Sequence, residues 1–284
     1  MESFLSPSGM RAGVLVEYHK APAAWQANHP NPFSLDGSYG CKWSYFEIVD
    51  DLGENFTHGK LDNGLFHLRA GRAVAKLGAR LADFLRYEPK HGRSVIVHGP
   101  PDIAVDSMVA EAIESNPDGS YLSEEESRWV VHSTDLDAWD NVQRCGTLRS
   151  QASLRREGRE VVGLGLSLLK EPEDYAQYIM FSSVDAIGPE HVVASRSKGD
   201  IFTEENTPYT PGVRLYVDGH RIIRDGLAVW DGVHFLKVRD RVPLEPYLLA
   251  AVTTSDLDLE RGASEWTPRT FLDAATAHFR ARFE

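Results

Sequence analysis

The stretch WVVHSTDLDAWDNVQRCGTLRSQASLRREG, residues Trp129–Gly158, gathers residue types suited to holding an anionic ligand. A short apolar run, Trp129 to Val131, delivers His132, Ser133 and Thr134 to a strand end. An imidazole offers one donor and one acceptor and hydroxyls adapt to either need, so this trio suits a ribose or an amide. Five arginines follow within sixteen residues: Arg144, Arg149, Arg155, Arg156 and Arg159. Guanidinium groups stay charged and grip phosphate oxygens in pairs, so two of them turned inward would clamp a pyrophosphate. The alternative is a solvated helical face neutralised by Glu157 and Glu160. Arg149, nearest the end of the intervening helix, is the favoured phosphate ligand, with Arg155 beside it. Farther along, GVHFLKV reads as a strand with Val233 and Phe235 on the face opposite His234. A histidine there is either a general acid/base, since it titrates near neutrality, or a cross-strand packing residue.

Other chemistries lack their residues. No GxSxG elbow, HExxH, GxGxxG or kinase set occurs, and HGPP at 98–101 lacks the glycine spacing and Lys-Ser/Thr of a phosphate loop. GLGLS at 163–167 sits inside an apolar run and reads as strand or close packing. The two cysteines, Cys41 and Cys145, form no CxxC, and His19, His29, His58 and His67 show no HxH or HxxxH pairing, so neither a disulfide framework nor a metal is expected. A net charge of −12 repels a polyanion and opposes nonspecific nucleic-acid binding. With no signal-like N-terminus and no run of about 18 apolar residues, the expectation is a cytoplasmic protein without a membrane span.

The elements that must position these residues fall into two parts. In the first, AGVLVEY (12–18), WSYFEIV (43–49) and SVIV (94–97) read as strands, with turns over 53–64. Apolar positions 74, 77, 81, 84 and 85 predict an amphipathic helix over 70–85, ending before Pro89, and 103–113 predicts another. Turn residues accumulate at 116–124, the expected boundary, after which Ser123 caps a helix start at Glu124 to Glu126. In the second part, Asp135 or Asp137 caps a helix running to Cys145 and stopped by Gly146. Strands are expected at 161–169, in the YIMF run after a short helix, and at HVVAS (191–195). The runs over 212–253, divided by Asp218-Gly219, Asp225-Gly226 and Asp231-Gly232, predict a mainly antiparallel sheet, and 270–282 a final helix.

The second part resembles a known family. Val130-Val131-His132-Ser133-Thr134, a helix with Trp139 and Val142, then Cys145-Gly146-Thr147-Leu148 is similar to the LYHGT…I…GL opening of the ADP-ribosyltransferase fold in the RNA 2′-phosphotransferase family. Leu215 to Gly219 with Ile223, Asp225 and Gly226 resembles its strand-helix segment with a DG turn, and Gly232 to Leu236, Val242-Pro243 and Tyr247-Leu248 resemble its GVWL…VP…YL ending. The resemblance spans about 128–250. It implies that His132 is the histidine contacting NAD, that Val233 stands at the third signature position, and that Tyr178, or equally Tyr175 or His191, stacks on nicotinamide. HST replaces HGT, His234 stands where the family has tryptophan, and Tyr87 replaces the histidine of an N-terminal LRH segment. That last change and the acidity disfavour an RNA substrate.

The expectation is therefore an α+β chain. An N-terminal α+β region (1–120) precedes an ADP-ribosyltransferase-like domain of split antiparallel β-sheets with flanking helices (121–284). Its ligand is NAD or a related small-molecule nucleotide, held by His132, Ser133, Thr134, Arg149 and Arg155, with His132, Tyr178 and His234 as catalytic residues and no metal. The reaction is cleavage of an N-glycosidic bond, with transfer of ADP-ribose or hydrolysis. The alternatives are a binding or sensing module without turnover, or an enzyme of the same fold acting on another nucleoside or phosphorylated metabolite.

Overall fold

A computed structural model describes residues 16–22, 24–116, 122–159, 161, 171–257 and 266–284. It is a mixed α+β structure built on two main sheets. The first is β1 (His19–Lys20), β5 (Ser94–His98), β2 (Trp43–Val49), β4 (Phe66–Gly71) and β3 (Phe56–Lys60), in that spatial order. β1, β5, β2 and β4 run parallel and β3 closes the edge antiparallel. Helices α1 (Leu77–Lys90) and α2 (Val105–Ser115) accompany it.

The second sheet is antiparallel, in the order β10 (Ala228–Val229), β11 (Leu236–Arg239), β8 (Tyr178–Ser183), β6 (Trp129–Thr134), β9 (Val213–Asp218) and β13 (Leu248–Val252). A two-stranded ribbon pairs β7 (Thr147–Arg149) with β12 (Arg241–Pro243). Around them lie α3 (Glu124–Ser127), α4 (Leu136–Cys145), α5 (Gln151–Arg156), α6 (Gly188–Lys198), α7 (Gly219–Arg224), the single turn α8 (Leu244–Tyr247) and α9 (Pro268–Phe283). β6 and β8 pair at only two positions, Val130 with Ser183 and Val131 with Ser182, whereas β6 pairs with β9 along its whole length. Beyond Val131 the backbone pairing between β6 and β8 stops.

Strand alternation sorts the core. On β6, Val130 faces a cluster with Trp139, Phe181, Leu215, Val217 and Leu236, while Val131 faces one with Tyr216, Phe271 and Phe279 of α9. On β8, Ile179 and Phe181 join the first of these. Tyr178 and Met180 point the opposite way, into a third cluster with Phe46, Phe66, Phe84 and Tyr87 of the N-terminal sheet and α1. That third cluster also takes in Tyr175 and Val233, so one continuous apolar core joins the two sheets.

Several sequence expectations change. Residues 53–64 are not all turn and 70–76 are not helix: Phe56–Lys60 and Phe66–Gly71 are paired strands, and α1 begins at Leu77, after Lys76 in a left-handed conformation. Pro89 lies inside the last turn of α1, where it still makes a helix because α1 gives up only one terminal hydrogen bond. HVVAS is helical, within α6. Pro189 fits its first turn and Gly199 adopts the left-handed C-terminal conformation, and these ends outweigh the β-branched pair Val192-Val193. Asp218-Gly219 is a helix start, its carboxylate accepting from Arg221 N at 2.9 Å. Residues 16–18 are not strand, and the first strand among the described residues is His19–Lys20. Residues 12–15, the boundary turn 117–121, and nearly all of the 161–169 strand with its GLGLS fall outside the described residues. Both cysteines are unbridged and exposed.

Candidate functional site

His132 lies in β6 opposite Leu215 of β9, just past the point where the pairing of β6 with β8 stops. Its Nδ1 is 3.0 Å from the carbonyl oxygen of Met180 and its ring lies 5.9 Å from that of Phe181. A carbonyl only accepts, so Nδ1 carries the proton and Nε2 presents a lone pair. Burial drags the His132 pKa down from 6.5 to about 4; the Met180 hydrogen bond opposes this and Arg196 adds to it. The imidazole is therefore a neutral acceptor at physiological pH, suited to a hydroxyl donor such as a ribose.

The low pKa has a measurable consequence. Between pH 6.5 and about 4 the unfolded chain takes up a proton at His132 that the folded chain does not. This histidine's contribution is complete above pH 6.5 and is lost as pH falls toward 4, on the order of 3 kcal/mol. The stability difference between wild type and His132→Gln is expected to be constant above pH 6.5 and to shift against wild type by on the order of 3 kcal/mol as pH falls toward 4, read from urea melts. Parallel pH profiles would contradict a neutral His132.

The neighbours of His132 divide between the two faces. Thr134 shares its face and is buried. Ser133 points the other way and donates to Glu190 Oε1 at 2.6 Å, inside a buried group completed by Arg214 (2.8 Å to Oε1) and Tyr209 (2.8 Å to Oε2). A ligand beside His132 therefore does not meet the Ser133 hydroxyl. Arg149 is paired with Glu157 and donates to Cys145 Sγ, and Arg156 pairs with Asp240 at 2.7 Å. Arg155 donates to the Val161 carbonyl and lines a cavity of about 1070 Å³ with Lys60, Arg156 and Glu171. His191 sits on α6, not in a strand, and its pKa is lowered by burial.

Tyr178 and His234 do not meet His132. Both belong to the opposite side of the second sheet, against the N-terminal unit, where a polar cluster is built around Asp231. The loop 231–235, not a strand, carries His234, and β11 starts at Leu236. Gly232 makes this possible: its φ is +73° and a Cβ would lie 2.0 Å from the Arg80 carbonyl oxygen of α1. Fully buried Asp231 folds the loop over itself, Oδ1 accepting from Val233 N (3.0 Å) and His234 N (2.8 Å). Its Oδ2 accepts from His234 Nδ1 at 2.9 Å and meets Lys237 Nζ at 2.7 Å. Burial alone would raise the Asp231 pKa, but Lys237 and His234 outweigh it and hold the group ionised.

Lys237 is also fully buried. Its ammonium lies 3.8, 4.2 and 4.5 Å from the ring centroids of Tyr87, Tyr175 and Tyr178, so three aromatic faces and one carboxylate replace water. Tyr178 is thereby a wall of a lysine cage, its hydroxyl 3.2 Å from His91 Nε2. Beside the cage, Arg93 joins Glu88 to Asp174, and Tyr87 donates to Asp174 at 2.8 Å. Toward the surface, His58 of β3 donates through Nε2 to Glu171 at 2.8 Å, and its ring centroid lies 5.8 Å from that of His234.

In the sequence Asp231 has only the mark of a DG turn, and no motif singles out Lys237, Glu171 or the tyrosine cage. Leu236-Lys237-Val238 has the alternation of a strand with its lysine turned to solvent, and only the packing of the N-terminal sheet over that face buries Lys237. No protein-family model, curated protein or solved structure is significantly similar to the chain. Among the described residues no helix is long and apolar enough to cross a membrane.

Proposed function

We propose that the chain binds NAD or a related nucleotide where the pairing of β6 with β8 ends, and breaks its N-glycosidic bond by transfer or hydrolysis. The observation that carries this reading is His132, a neutral imidazole with its tautomer fixed by the Met180 carbonyl, where the pairing of β6 with β8 in the antiparallel sheet ends. The order of the motifs along the chain adds to it. Cleaving this bond develops positive charge on the ribose, so orientation of the ribose matters more than covalent chemistry. His132 Nε2 would accept from a ribose hydroxyl, with Thr134 on the same face. The cavity that Arg155 lines with Lys60 and Arg156 also carries Asp62, Glu171, Glu173 and Asp174 and adjoins the His58–Glu171 pair, so it is not part of this ribose site. Ser133 and Arg149 have structural partners and are left out of this role, and His234 and Tyr178, on the far face, are not part of the reacting group.

A second reading, nucleotide binding without turnover, is favoured by one observation. Val233, at the third signature position, is 2% exposed and packed against the N-terminal unit, with no carboxylate in its place. Incubation of the purified chain with NAD separates the two. Nicotinamide release above the buffer rate is expected for the enzyme, and a thermal shift with unchanged NAD for the binding module. A folded chain that neither shifts nor releases nicotinamide removes both.

A further inference from the structure

We propose that His58, Glu171 and His234 form a site for a first-row transition-metal dication, with zinc the best match. One ligand atom from each lies within 4.8 Å of the others. The three come from separate elements: β3, the segment entering the turn before β8, and the loop before β11. Their side chains are 18%, 9% and 16% exposed, shielded from bulk water yet reachable. Two imidazoles and a carboxylate suit zinc and its neighbours, whereas magnesium and calcium select oxygen-only sets.

The surroundings have the form of a metal centre. Nδ1 of His234 donates to buried Asp231, so Nε2 is the nitrogen placed to coordinate, and the carboxylate fixes ring orientation and tautomer as an outer-shell partner does. Asp231 is fixed in turn by two backbone amides and Lys237. A tetrahedral zinc with bonds of about 2.0–2.1 Å sets its ligand atoms roughly 3.3 Å apart, so the trio closes on an ion by side-chain rotations of about an ångström. The metal takes the place of the proton that His58 Nε2 shares with Glu171, and His58 shifts to its Nδ1–H tautomer, so no net proton is lost. Glu171 also lines the 1070 Å³ cavity, which gives an entry path and room for a fourth ligand from solvent. Lys237, beyond Asp231, opposes a dication at longer range, and Glu171 in the first shell offsets it.

The test uses the full chain, tag-free and stripped with chelator, titrated with Zn²⁺ against a chromophoric competitor in the absence of nucleotide. One equivalent per chain is expected. His58→Gln and Glu171→Gln, each checked for folding by circular dichroism, should each weaken uptake at least about 100-fold, and Asp231→Asn about 10- to 100-fold. X-ray absorption of the wild type loaded with one Zn²⁺ should show two imidazoles with oxygen completing the shell, a readout that needs no variant. No saturable uptake by folded wild type, a shell without imidazole, or affinity unchanged in both glutamine variants would overturn the proposal. Because no nucleotide is present, such a failure leaves the NAD reading standing, and failure to bind NAD leaves the metal site standing.

Discussion

Asp231→Ala is expected to destabilise the chain by about 3–5 kcal/mol, a large part of the 5–15 kcal/mol that holds a typical domain together. The substitution strands the Lys237 ammonium, fully buried and 2.7 Å from the lost carboxylate, inside a cage that offers it only ring faces. It also removes the acceptor for two backbone amides of the loop that joins β10 to β11. Asp231→Asn separates these effects, since an amide oxygen still accepts from Val233 N and His234 N but carries no charge. The double variant Asp231→Asn/Lys237→Met should recover much of the loss, because replacing both members of a buried ion pair is often close to neutral whereas removing one is not. Urea melts of wild type, Asp231→Asn, Lys237→Met and the double variant close the cycle, with Asp231→Ala read beside them. Additive losses in the double variant would mean that the pair does not interact as its geometry requires.

His132→Ala is expected to lower nicotinamide release from NAD by about 100-fold or more, equivalent to about 2.7 kcal/mol of lost transition-state stabilisation. The fold should persist. The lost ring contributes one hydrogen bond to Met180 and one contact with Phe181, while Val130, Leu215 and Phe181 still pack across β6, β8 and β9. Ser133→Ala, by contrast, should disturb stability through Glu190 and leave nicotinamide release per folded molecule unchanged. Equal activity in wild type and His132→Ala would remove the histidine from the reaction.

The elements most legible in the sequence were those whose local signals agree with their packing. WSYFEIV alternates and is β2; Asp135 and Gly146 frame α4 as N-cap and left-handed C-terminal residue; the Pro-Glu-Asp entry gives a 3-10 turn into β8. β3 and β4 were hidden because FTHGK and FHLRAG carry histidine, glycine and charge, and only pairing with each other and with β2 makes strands of them. Of the site, the His132 trio was visible as residues on a strand, but not that alternation turns Ser133 away toward Glu190. The His58–Glu171 contact spans 113 positions and depends on the packing of the N-terminal sheet against the second, which no motif spacing encodes. The same packing moved His234 and Tyr178 to the far side from His132.

A crystal structure of the chain grown with NAD decides whether the nucleotide meets His132. A ribose hydroxyl within about 2.6–3.2 Å of His132 Nε2, where the pairing of β6 with β8 ends, is the expected result. Nucleotide bound on the Tyr178 and Lys237 side with His132 untouched, or no nucleotide at saturating NAD, would contradict it.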